Sequence, residues 1–199
     1  LFRSNVVSPD ELIARYGTDT VRLYTLFIGP PEKDAEWNDQ AVEGAYRFLG
    51  RLWRFVTECA SWSISGGTVR AEDLKRYVHE TIKKVTDDLE GDFHFNTAIS
   101  RIMELLNSVY QFEVRTDTDR TLLTEAAAVM VQLLAPFVPH LSEELWHFMG
   151  HTESVFRSTW PTYDEAALQQ RTIELALQIC GKVRSHMTVA ADLQSKFNR

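Results

Sequence analysis

The chain has 199 residues, 44% hydrophobic and 11% aromatic, enough to bury a core of its own and too apolar for a disordered segment. Its 21 Lys and Arg against 28 Asp and Glu leave a net charge of −7, which excludes nucleic-acid binding by bulk charge but not by one local face. Two cysteines, Cys59 and Cys180, form neither a disulfide scaffold nor a zinc clip and point to a reducing, cytoplasmic setting. With no apolar run near the ~18 residues that cross a bilayer, and no secretory signal in Leu1 to Val7, no membrane is expected.

In chain order, Ser8-Pro9-Asp10-Glu11 reads as a capping Ser, a Pro at the first helical position and a Glu three residues after the cap. A short helix to about Gly17 is expected. Thr18-Asp19-Thr20 caps a second helix, whose Val21, Leu23, Tyr24, Leu26, Phe27 and Ile28 lie almost all round the cylinder and predict burial on most sides. Gly29-Pro30-Pro31 stops it, and a polar connection follows with Trp37 as its large apolar anchor.

From Gln40 to about Trp62 the period is that of a long amphipathic helix, with Ala45, Leu49, Leu52, Val56 and Cys59 in one stripe and Phe48, Trp53 and Phe55 widening it. Further helices are read at 71–90, 96–113, 119–134 and 140–149, separated by Gly91-Asp92, by Thr116-Asp117-Thr118 and by a turn between Pro136 and Pro139. Helices of this length joined by short loops predict a mainly α protein, an antiparallel helical bundle.

The last third changes character. After Trp160-Pro161 a short helix is expected over Asp164 to Gln170. Ile173, Leu175, Leu177 and Ile179 then alternate with polar or small residues, the period of a strand. Cys180-Gly181-Lys182 turns it and Val183 to Val189 returns, so a small β-hairpin, an α+β piece, closes the chain. A lone hairpin is marginal in water. Together with the non-Met start and the unfinished helical pattern after Ala190, it suggests a piece of a longer protein.

No constellation supplies a self-sufficient active site. Glu144 and His147 have the Glu-x-x-His spacing of di-metal bundles, but the second such pair is missing. Asp87, Asp88, Glu90 and Asp92 lack calcium-loop spacing. Gly66-Gly67 lacks the Lys-Ser or Lys-Thr of a phosphate loop. No catalytic residue, metal site or cofactor site is therefore expected. The basic positions carry more. Arg47, Arg51 and Arg54 set three fork-shaped donors along two helical turns, a spacing that suits successive phosphates. Their alternative is pairing with Glu43 and Glu58, each one turn away. Lys83, Lys84, Lys182 and Arg184 stand on the same terms.

Several phrases resemble one family, the leucyl-tRNA synthetases. Asn5-Val6-Val7-Ser8-Pro9 and Tyr16-Gly17-Thr18-Asp19-Thr20-Val21-Arg22-Leu23 are similar to the segment after the KMSKS loop of class I synthetases. Pro30-Pro31-Glu32-Lys33-Asp34, Glu36-Trp37 and Val42-Glu43-Gly44-Ala45-Tyr46-Arg47-Phe48-Leu49 resemble the leucyl enzymes in particular. Leu134-Ala135-Pro136-Phe137-Val138-Pro139-His140-Leu141-Ser142-Glu143-Glu144-Leu145-Trp146 resembles a bundle motif of that subgroup, and Gln178-Ile179-Cys180-Gly181-Lys182-Val183-Arg184 continues the likeness. Leu1-Phe2-Arg3-Ser4 stands where the family has its KMSKS loop, and Cys180 where it has Asn.

The resemblance implies a tail at 1–37 leading from an absent catalytic domain, an anticodon-binding-type bundle at 38–170 and the start of a β-containing appendage at 171–199. It further implies a parent that joins leucine to tRNA(Leu) using ATP and Mg, and a piece that is itself inactive and holds no cofactor. The implied partners are tRNA(Leu) and the parent's own catalytic domain, the state a monomer. Contacts should run to phosphate and sugar. That tilts Arg47, Arg51 and Arg54 toward RNA, with Lys83, Lys84 and Arg101 ranked below them; Trp53 and Trp146 are expected in the core. The competing expectation is a module that braces the catalytic domain and has little RNA affinity.

Overall fold

The computed structural model describes residues 8–29, 37–91, 93–169, 172–179 and 182–190. The family phrases at 1–7 and 30–36, the turn at Cys180-Gly181, the helix expected after Ala190 and the side chains of Lys182 and Arg184 lie outside them. Two compact units emerge, Leu1–Tyr163 and Asp164–Arg199.

The first unit is helical: α1 (Pro9–Tyr16), α2 (Thr18–Phe27), α3 (Asp39–Glu58), α4 (Ala71–Glu90), α5 (Phe95–Val109), α6 (Asp117–Leu134) and α7 (Pro139–Phe148). Each long helix turns one stripe inward at helical spacing. Val42, Ala45, Leu49, Leu52 and Val56 on α3 join Leu74, Val78, Ile82 and Val85 on α4, Ala98, Ile102, Leu105 and Val109 on α5, and Leu123, Ala127, Met130 and Leu134 on α6 in one buried cluster. Trp62 closes one end, edge-on to Phe55 at 5.3 Å and to Tyr110 at 4.8 Å.

Side-chain caps explain the starts of α3 and α6. Asn38 accepts from the Gln40 and Ala41 amides to start α3, and Thr116 with Asp119 forms a reciprocal capping box on α6. At the other end of α3, Arg120 donates to the carbonyls of Cys59 at 3.2 Å and Ala60 at 2.7 Å, a cation where the helix leaves carbonyls unpaired. The loop after α3 pairs with the segment after α5 through a Val69–Phe112 bridge. Gly67 is required there, because a Cβ would stand 2.5 Å from the Gln111 carbonyl oxygen.

Several expectations fail. Ser8 makes no side-chain cap hydrogen bond, so α1 rests on Pro9 at its first turn and on Asp10 and Glu11 beside its N-terminal dipole. Helix α2 is buried on one face only: Thr20, Leu23 and Tyr24 are inside, while Val21, Leu26, Phe27 and Ile28 are half-buried. Trp53 does not join the core and is 39% exposed, whereas Trp146 is buried and stacks on His151 at 3.6 Å. Trp37 does anchor its segment: it packs edge-on to Tyr24 at 4.7 Å, and the Tyr24 hydroxyl accepts from the Asn38 amide.

The second unit contains α8 (Glu165–Leu168), capped by Asp164, and two strands, β1 (Thr172–Ile179) and β2 (Lys182–Ala190). The strands run antiparallel in a register from Thr172 opposite Ala190 to Ile179 opposite Lys182, with a shift between Leu177 and Gln178.

Candidate nucleic-acid interface

The expected basic residues divide sharply once packed. Arg101 on α5 donates to Glu80 and to Glu104, both at 2.8 Å, and Glu80 also holds Arg76 at 2.8 Å. Lys84 is bound to the buried Asp88 at 2.6 Å. Lys83 reaches Asp87 at 3.7 Å and lies over the Tyr163 ring at 4.8 Å. These three cations are thus spent on carboxylates of α4 and α5.

The α3 row differs. Arg47 keeps only an exposed pair with Glu43 at 3.4 Å, the partner proposed for it from spacing. Arg51 lies over the Tyr110 ring at 4.4 Å and donates to the Asn107 side chain at 2.9 Å, while the Tyr110 hydroxyl donates to the Arg51 carbonyl. One of its two neutral partners is an aromatic face and the other an amide, so its position is fixed while its charge stays uncompensated. Arg54 makes no side-chain hydrogen bond or ion pair among the described residues, and no pair to Glu58 forms.

All three arginines line one groove of about 750 Å³ between α3, the α1–α2 turn and the N-terminus of α7. Tyr46, 52% exposed, and Trp53 share it. Among the described residues lining it, Asp19 is the one carboxylate, and it is already engaged. Its oxygens take the Leu141 amide at 2.6 Å and His140 Nδ1 at 2.8 Å. Asp19 therefore caps α7 from another helix, in place of the local cap expected from Thr18-Asp19-Thr20. The groove is left with three guanidiniums and no free carboxylate.

Sequence reasoning named the arginines but missed Tyr46, Gly50 and His140. A signal was available: Tyr46-Arg47, Gly50-Arg51 and Trp53-Arg54 repeat at i, i+4, i+7, so a second row runs beside the first. His147 is held by the His151 carbonyl and by Glu143, leaving Glu144 alone, and among the described residues no three His, Cys, Asp or Glu are grouped to hold a metal. Burial pushes the Cys59 thiol up, against the opposing pull of Thr124 and Arg120. No described helix is long and apolar enough to cross a membrane.

A helical bundle of this kind matches a known class. The family model described as the anticodon-binding domain of tRNA ligase covers residues 72–198, and the chain belongs to that family. More particularly, it is 46% identical over 95% of its length to the leucine–tRNA ligase of Geotalea daltonii and 45% identical over 98% to that of Geobacter sp. strain M21. It spans about a quarter, 24%, of these curated relatives. Among solved structures it is similar to the Agrobacterium radiobacter K84 agnB2 LeuRS in a ternary complex with tRNA and LeuAMS. That likeness has a TM-score of 0.76 and 31% identity, covering 97% of this chain and 27% of the other. The arginine row precedes the segment matched by the family model but lies within the span shared with these ligases.

Proposed function

We propose that the chain is the tRNA-docking bundle of a leucine–tRNA ligase, and that the α3 groove meets the phosphate backbone of tRNA(Leu). The observation that carries this reading is the groove itself, where Arg47, Arg51 and Arg54 converge beside exposed aromatic rings on a protein of net charge −7. In the parent, leucine is joined to tRNA(Leu) with ATP, in the cytoplasm and as a monomer. On this reading residues 1–37 lead from the catalytic domain, 38–170 form the bundle, and the strands of 171–199 begin a β-containing appendage. Lys182 and Arg184 remain candidates there, and Lys83, Lys84 and Arg101 rank lower because each is already engaged.

ATP and Mg belong to the catalytic part of the parent. The donors described here do not fit them: no three acidic or imidazole groups converge, and Gly66-Gly67 is not followed by the lysine a phosphate cradle uses. The piece alone is therefore expected to give no leucyl-adenylate in pyrophosphate exchange. A bracing role for the first helices is favoured by a specific feature. A cleft of about 330 Å³ is lined by Ile13, Val21 and Leu26, with Ile13 38% exposed, which suits contact with a neighbouring domain. It can coexist with RNA docking, since the two clefts share only Thr18 among their lining residues.

The docking reading is tested by the salt dependence of binding to a tRNA(Leu) transcript. Replacing Arg47, Arg51 and Arg54 by Ala should lower the log–log slope by about 2, since each lost phosphate contact removes roughly 0.7–0.9. An unchanged slope would return the row to an ordinary charged face.

A further inference from the structure

We infer that the α3 groove also captures unpaired bases, stacking them in a notch over Gly50 between Tyr46 and Trp53. This inference rests on the docking reading and goes beyond it, because phosphate contact alone needs no aromatic surface.

Residues 46, 50 and 53 follow one another at i, i+4, i+7 and form a row between the buried stripe of α3 and the side that carries Arg47 and Arg54. The two rings at the ends of that row are the exposed ones, Tyr46 at 52% and Trp53 at 39%. Leaving a Trp so open costs burial that the bundle gives Trp62 and Trp146. Between the rings stands a residue with no side chain. A Cβ built on Gly50 would meet nothing within 4 Å, so close packing does not explain the glycine, and its position within a long helix carries a penalty of about 1 kcal/mol relative to Ala. The backbone positions of Tyr46 and Trp53 are set about 10 Å apart along the axis. Bases stack at about 3.4 Å, so one or two fit between two aromatic faces over that span. Tyr16 meets Tyr46 edge-on at 5.7 Å and fixes the near ring. Arg47 and Arg54 stand beside the notch, where the phosphates of an extruded nucleotide would lie. A cationic groove with stacking platforms is the arrangement that holds unpaired nucleic acid, with each stacked base contributing through its π-face regardless of identity.

The test compares a hairpin RNA carrying two unpaired adenines with the same hairpin fully paired, each titrated against the whole chain at several salt concentrations. The bulged RNA should bind about tenfold tighter. Gly50→Leu fills the notch and replaces a helix-weakening residue, so it should raise the melting temperature while abolishing the tenfold preference. Trp53→Leu should abolish the preference as well, and both variants should keep the wild-type salt slope, because the arginines are untouched. Equal binding of the two RNAs by the wild-type chain, with a slope that still depends on Arg47, Arg51 and Arg54, overturns the stacking site and leaves docking intact. A preference that survives Gly50→Leu also overturns it. Absence of salt-dependent binding to either RNA overturns both readings.

Discussion

Helices α3 and α4 carry similar rows of positive charge, yet packing assigns them opposite tasks. On α4 and its neighbour α5, Arg76, Lys84 and Arg101 each have a carboxylate within 2.8 Å, and Glu80 and Asp88 are partly or fully buried. On α3 the one carboxylate pair, Glu43 with Arg47, is exposed and long, and Glu58 and Arg54 form no pair among the described residues. The first face uses charge to hold two helices together; the second keeps charge available. What separates them is that the α4 cations close on acids one turn away in their own helix, with Glu80 also reaching across to Arg101, whereas Arg51 and Arg54 meet no acid among the described residues.

The sharpest way to break this contrast is a pair of triple variants. Arg47, Arg51 and Arg54 to Ala should weaken tRNA binding by about one to two orders of magnitude at low salt, while Lys83, Lys84 and Arg101 to Ala should change it by less than about threefold. Titration by fluorescence anisotropy would decide it, and a reversed ranking would move the interface to the α4–α5 face.

Stability should separate the faces in the opposite sense. Glu80→Ala takes one carboxylate from each of the half-buried Arg76 and Arg101, leaving them Asp73 and Glu104, and Arg101 Nε already lacks a hydrogen-bond partner in the described structure. A loss of about 2 kcal/mol in denaturant unfolding is expected. Glu43→Ala removes an exposed pair and should cost no more than about 0.5 kcal/mol, while modestly strengthening RNA binding by freeing Arg47.

A smaller effect concerns pH. The Arg70 hydrogen bond, with help from Arg76, holds the Asp73 carboxyl below the usual carboxylate range despite partial burial. Because the folded value lies below the unfolded one, this stabilisation is present above about pH 4 and is lost as pH falls through the depressed value. Asp73→Asn should flatten that acid limb of a thermal-stability profile. The contrast between faces should narrow as acid releases Arg70 and Arg76 from Asp73 on the α4 side.

The long helices were legible because apolar residues recur with a 3.6-residue period over five turns. The α4 pattern matches its observed span of Ala71–Glu90, and α6 begins two residues before the expected Asp119 because Thr116 caps it. The shorter features were less legible. Ser8 has the right neighbours for a cap and makes none, and Asp19 looked like a local cap but satisfies α7, more than a hundred residues away. Trp53 fell among residues that pattern as core, yet it stands at the stripe's edge where no helix covers it. Those outcomes depend on what packs opposite, which periodicity does not encode.

Sequence alone determined the helical class, the breaks between helices, the family likeness and the arginine spacing on α3, because each is a property of residues a few positions apart. Only the tertiary structure decided which cations remain free, that Asp19 is taken up by the Leu141 amide and His140 of α7, and that Gly50 lies open between two exposed rings. The reason is physical: the availability of a charge or a ring is set by the partner that approaches through space, here Asn107 and Tyr110 for Arg51 and Glu80 for Arg101.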